Sequence, residues 1–280
     1  MRKIALFSFL LFLVSLPFPS LLFSQEAGKT AEFDGVFAYA INSRQLVTIS
    51  SDVTESSARL MTKAVCPTNA ITSAIRFAPV RNTDGGGMSG FRYDADDEVP
   101  AGNYCLLVNA RTHEKLFIWG SGDTPILLHE KKCISQIAEH ADSLTGRKAA
   151  SCYIIGGYGT GSLRLIEYVY NSPADRLSAL MVIDDSLLDG TSRYSIVRFP
   201  ASSPVWASEK DGNFHPERFR HLFTISDDPD SKIWLTAIEW AGPRGNDLLL
   251  YQPVGTELRP ILINHDSFHR GKKPSDIASR

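Results

Sequence analysis

The sequence predicts a mainly β protein: antiparallel sheets forming a sandwich, a barrel or a partial propeller-like array, with one or two short helices. Three observations carry that expectation. Short apolar runs recur along the whole chain, and Gly, Pro, Asn or Asp separates them. One internal segment alone shows sustained helical spacing. Long amphipathic helices are missing, which argues against doubly wound, α/β-barrel and α/β-hydrolase designs.

From the N-terminus, Gly35–Ile41 and Gln45–Ser50 read as strands split by the polar turn Asn42-Ser43-Arg44. Asp52-Val53-Thr54-Glu55 has capping-box spacing and opens an expected short helix through Leu60, Met61 and Val65. Ala74–Phe77 reads as a strand, followed by the glycine loop Asp84-Gly85-Gly86-Gly87. Asn103–Asn109 and Lys115–Trp119 are two further β-rich runs. Between Glu130 and Leu144, the residues Ile134, Ile137, Ala138 and Ala141 fall on one helical face.

Beyond that helix the expected strands are Cys152–Ile155, Ser162–Tyr170, Leu177–Ile183, Arg193–Phe199, Phe219–Ile225, Ile233–Trp240, Asp247–Tyr251 and Leu258–Ile263. Most are continuously apolar rather than alternating, a pattern that periodicity alone does not separate from a buried helix. The stretch from Ala179 to Ser186 resembles that from His221 to Asp228, about one propeller-blade length further on.

Residues 1–24 read as a signal peptide or an N-terminal anchor. Arg2 and Lys3 precede an apolar run from Ile4 to Phe23, and polar sequence begins at Gln25. Either reading sends the rest of the chain across a membrane. Residues 25–122 are expected to form an N-terminal β module and 123–266 a C-terminal antiparallel β module, with the change near Ser121–Thr124. Residues 267–280 are expected to form a flexible basic tail.

Past residue 24 there are 27 basic and 31 acidic side chains, a net of about −4. This is not the charge pattern of a nucleic-acid binder. Nothing beyond the possible N-terminal anchor points to a membrane.

Four cysteines in an exported chain suggest disulfides. Three connectivities exist for Cys66, Cys105, Cys133 and Cys152. Cys66–Cys105 with Cys133–Cys152 keeps each bridge within one half of the chain.

No motif assembles a catalytic centre. Asp228 and Asp230, with Asp227 beside them, resemble the first positions of the Asp-rich calcium loops of integrin-type propeller repeats, but Lys232 stands where the third ligand oxygen belongs. A solvated turn fits better. Asp94, Asp96, Asp97 and Glu98 form a second acidic group, expected in a loop, without the Gly and Glu of an EF-hand. Gly156 to Gly161 is glycine-rich yet precedes a strand, so it reads as a hairpin turn rather than a phosphate cradle. His265 and His269 are four apart, a zinc spacing only on a helix.

Trp206 lies in a loop-like stretch, where an aromatic can anchor an interface. Trp206, Asp227, Asp228 and Asp230 are therefore the candidate interaction surface. Neither a cofactor nor a metal is expected. The expected function is a non-enzymatic binding or interaction module of the cell envelope or extracellular space, with a protein or glycan partner. The alternative is a secreted hydrolase, glycan-directed, with a dispersed carboxylate site.

Overall fold

Strands β1 (Gly35–Asn42) and β2 (Gln45–Thr48) form the first hairpin. A short helix α1 (Glu55–Ala58) follows, then β3 (Lys63–Cys66), β4 (Ile71–Asn82), β5 (Gly90–Ala95) and β6 (Tyr104–Val108). These six strands close into a barrel in the order β1-β2-β5-β4-β3-β6. The computed structural model describes residues 34–50, 52–67, 71–82, 90–109, 117–120, 128–130, 135–158, 161–169, 177–184, 193–198, 216–226, 235–242, 245–254 and 257–266.

Strand alternation explains the barrel. Val36, Ala38 and Ala40 on β1 point inward with Leu46, Ala64, Ile75, Phe91, Tyr93 and Leu107, and together they make its apolar core. Burying each larger aliphatic side chain there contributes about 1.5–3 kcal/mol. Gly90 is forced by close approach, because a Cβ there would overlap the backbone carbonyl of Thr48. Cys66 and Cys105 are bonded across β3 and β6, one step beyond the Val65–Leu106 pair. The bond closes a separation of 39 residues, worth about 4 kcal/mol in the chain-entropy model. The expected pairing of these two cysteines is thus found.

Three expectations for this half change. The cap of α1 is Thr54, not Asp52: its backbone is extended and its hydroxyl accepts the Ser57 N–H. The helix does not continue to Val65. Lys63–Cys66 is instead a strand pairing β4 and β6, because Ala64 and Cys66 bury their side chains in the barrel. Asp94 is not in a loop. It lies on β5, where Phe91, Tyr93 and Ala95 alternate inward.

The remaining strands are β7 (Phe117–Gly120), β8 (Leu128–Glu130), β9 (Ala149–Tyr158), β10 (Gly161–Tyr168), β11 (Leu177–Asp184), β12 (Arg193–Arg198), β13 (Phe219–Ser226), β14 (Leu235–Gly242), β15 (Gly245–Val254) and β16 (Glu257–Asp266). They form one ten-stranded sheet in the order β7-β13-β14-β15-β16-β12-β11-β10-β9-β8. The change of sheet falls between Val108 and Phe117, ahead of Ser121–Thr124, since β7 pairs with β13. β12 meets β16 in parallel at Tyr194–Glu257, and among the described residues every other pairing in this sheet is antiparallel. Helix α2 (Ser135–Thr145) matches the expected helical segment, and Tyr168 donates its hydroxyl hydrogen to the Ala141 carbonyl.

Ile155, Leu163 and Leu165 on β9 and β10 pack against Phe219, Ile238, Trp240, Leu249 and Tyr251 on β13 to β15. The sheet therefore folds over on itself, and those middle strands bury one face in this core. β11 and β13, which carry the two similar stretches, are strands of this single sheet rather than equivalent positions of two blades. The β9–β10 hairpin contains this glycine-rich stretch, but Gly156 and Gly157 are not turn residues: they lie on β9, paired with Leu163 and Ser162. Gly156 has a packing reason: a Cβ there would overlap the imidazole of His221.

Candidate functional site

β13, β14 and the first half of β15 are buried on both faces. One face feeds the core just described. The opposite face carries Arg220, Glu239, Asn246 and, at the end of β16, Asp266. Polar side chains in such a place need partners, because burying one without a hydrogen bond costs about 1–3 kcal/mol. The partners come from the barrel, with which these strands share one compact unit spanning Asp34–Arg280.

Tyr104 on β6 points out of the barrel and is itself buried. Its hydroxyl donates to Oδ2 of Asp266 at 2.6 Å, the length of a charge-assisted hydrogen bond. The Tyr104 hydroxyl oxygen in turn accepts from the Asn246 side-chain amide at 3.2 Å. That amide also donates to Oε1 of Glu239 at 2.9 Å. Arg220 reaches back to the barrel and donates to Oδ1 of Asn103 at 3.0 Å. Its guanidinium lies 3.9 Å from the other Glu239 oxygen. Tyr39 on β1 stacks edge-on against Tyr104, with ring centroids 5.3 Å apart.

Six side chains thus join the two β structures across sequence separations of more than a hundred residues. Glu239 is 0% exposed and Asp266 2%. Burial, with the fields of Glu239 and Asp266, pushes the Tyr104 hydroxyl far above its ordinary range, so it stays a donor. Burial first, then Asp266 and Glu239, also raises Tyr39.

A second polar pair lies on the other face, where β15 meets β16. Asp247 faces His265 directly in the strand register, and Nδ1 of His265 lies 2.7 Å from Oδ1 of Asp247. The Asp247 side chain is 4% exposed and that of His265 46%. Burial lifts the Asp247 carboxyl to about 6, against the opposing pull of His265. A carboxylate that orients an imidazole is half of a base-and-nucleophile arrangement. Among the described residues no Ser, Thr or Cys is hydrogen-bonded to that imidazole.

His221 is fully buried on the core side. Its Nε2 lies 2.9 Å from Oγ1 of Thr224, which in turn meets Thr236. Burial lowers its pKa to about 4. It is a core histidine held neutral against Gly156.

Of the residues expected to matter, Trp206, Asp227, Asp228, Asp230 and Cys133 lie outside the described residues, as do His269 and residues 1–24. Cys152, buried on β9, is disulfide-bonded. The acidic group is not gathered around an empty centre. Asp94 meets Arg92 at 3.6 Å, Asp96 meets Arg76 at 3.0 Å and Glu98 meets Arg44 at 3.9 Å. Among the described residues no cluster of three or more His, Cys, Asp or Glu is arranged to hold a metal ion. Among them, too, no helix is long and apolar enough to cross a membrane.

Sequence reading missed the six-residue junction. Its signal was there, since Arg220, Glu239, Asn246 and Asp266 are polar residues set inside or at the ends of otherwise apolar strands. No family model matches the chain, and no curated protein or solved structure is significantly similar to it.

Proposed function

We propose that this chain is an exported, non-enzymatic binding or interaction module of the cell envelope or extracellular space, with a protein or glycan as its partner. The observation that carries this reading is the use made of the buried carboxylates. Glu239 and Asp266 are turned inward onto Asn246 and Tyr104 and closed off from solvent. They fix a barrel to a sheet, which is the job of a scaffold presenting loops. Export is supported by Arg2 and Lys3 before the apolar run and by the Cys66–Cys105 bridge, a bond that persists in oxidising compartments.

The second reading is a secreted hydrolase. It is favoured by the Asp247–His265 pair, whose imidazole is half exposed. One experiment separates the two. The full chain is titrated against a panel of envelope polysaccharides and peptidoglycan fragments while products are followed by mass spectrometry. Saturable binding to one class without release of products is expected. Hydrolysis that Asp247→Asn abolishes would overturn the binding reading in favour of the hydrolase.

A further inference from the structure

His265 and Asp266 are neighbours in the chain, so on a strand they point to opposite faces. His265 ties the end of β16 to Asp247 on one face. Asp266 ties the same end to Tyr104 of the barrel on the other. One short stretch of backbone therefore carries both contacts. We propose that the end of β16 is a proton-sensitive latch, in which the Asp247–His265 pair holds Asp266 in place against the barrel, and that both contacts loosen together as pH rises.

The charges around the pair make this direction follow. Across β14 the residue opposite Asp247 is Trp240, which carries no charge. Along β15 its neighbours are Asn246 and Leu248, and along β16 the neighbours of His265 are Asn264 and Asp266. Asp266 is turned to the barrel. His265 is thus the ionisable side chain that acts on the Asp247 carboxyl, beside burial itself. The second Asp247 oxygen, Oδ2, is buried without a hydrogen-bond partner.

While the Asp247 carboxyl holds its proton, no charge is buried at this point of the sheet. Once that proton has left, an anion with one oxygen lacking a hydrogen-bond partner is buried there. A carboxyl raised from 3.8 to about 6 in the closed state favours the closed state in acid and loses that advantage as pH rises through about 6. The opening that relieves it is the release of the strand end, because that exposes Asp247 to water. The latch depends on the contacts at the junction and not on whether the protein binds a partner or hydrolyses one.

Hydrogen exchange of the full chain, corrected for intrinsic rates, tests it at pH 4.5 and pH 7.5. The segments around Leu262–Asp266 and around Asn103–Leu106 are expected to open together, with an opening constant about tenfold larger at the higher pH. Asp247→Asn, neutral at every pH, is expected to remove the change from both segments. His265→Gln removes the imidazole that pulls the Asp247 carboxyl down and is expected to move the midpoint of opening above about 6. An Asp247→Asn protein that keeps the pH response overturns the proposal. So does a His265→Gln midpoint that does not move, or a β16 end that opens while the Tyr104 segment stays protected.

Discussion

The six-stranded barrel keeps its charges outside, whereas the ten-stranded sheet buries Arg220, His221, Glu239, Asn246, Asp247 and Asp266 within β13 to β16. Three of the barrel's ion pairs, Arg59–Glu55, Arg76–Asp96 and Arg44–Glu98, have exposed partners, and in a fourth, Arg92–Asp94, Arg92 is partly exposed. Its interior is Ala, Val, Leu, Phe and Tyr around one disulfide. A barrel closed on itself has an obvious inside and outside, so alternation sorts its residues. The middle strands of the sheet have no solvent face. Each polar residue on them is therefore committed to a specific partner, and the face opposite the apolar core is specified by hydrogen bonds to the barrel.

If this contrast is right, removing a cation should cost far more in the sheet than in the barrel. Arg220→Ala leaves Glu239 buried without its guanidinium, and a loss of about 3–5 kcal/mol is expected in denaturant unfolding. A loss below about 1 kcal/mol would place Arg220 with the surface pairs.

The next largest effect is the acid response of His221. Its folded pKa is about 4 against an ordinary 6.5, so the unfolded chain takes up the proton first. Its contribution to stability is full above pH 6.5 and is lost as pH falls toward 4, by up to about 3 kcal/mol. Asp247, whose pKa is raised, has the opposite sign over part of this range. The difference between the wild type and His221→Gln isolates the histidine. Stability curves against pH that run parallel in the two proteins would contradict a buried neutral imidazole.

The smallest effect belongs to the barrel. Arg76→Ala breaks an ion pair whose partners are both exposed, and a change within about 1 kcal/mol that shrinks further in high salt is expected.

Much of the fold was legible because strand length, turn residues and apolar content agree locally. The expected strands Phe219–Ile225 and Leu177–Ile183 agree with β13 and β11 to within one residue, whereas Asp247–Tyr251 covers only the middle of β15. The Cys66–Cys105 bridge followed from locality, since its residues sit on neighbouring strands. β5 was lost because the charges of Arg92 and Asp94 masked the alternation of Phe91, Tyr93 and Ala95. β3 differs from the helix its sequence suggests because propensity over four residues is weak against barrel packing.

The site was less legible. Tyr104 and Asp266 are 162 residues apart, and nothing local pairs them. Continuous burial also erased the alternation that would have shown which polar residues share a face.

The most direct test of the junction is a double-mutant cycle on Tyr104→Phe and Asp266→Ala, read by denaturant unfolding. A coupling energy of about 1–3 kcal/mol is expected if the hydroxyl and the carboxylate hold barrel and sheet together. Losses that add within about 0.3–0.5 kcal/mol would contradict it, because independent sites add in that way.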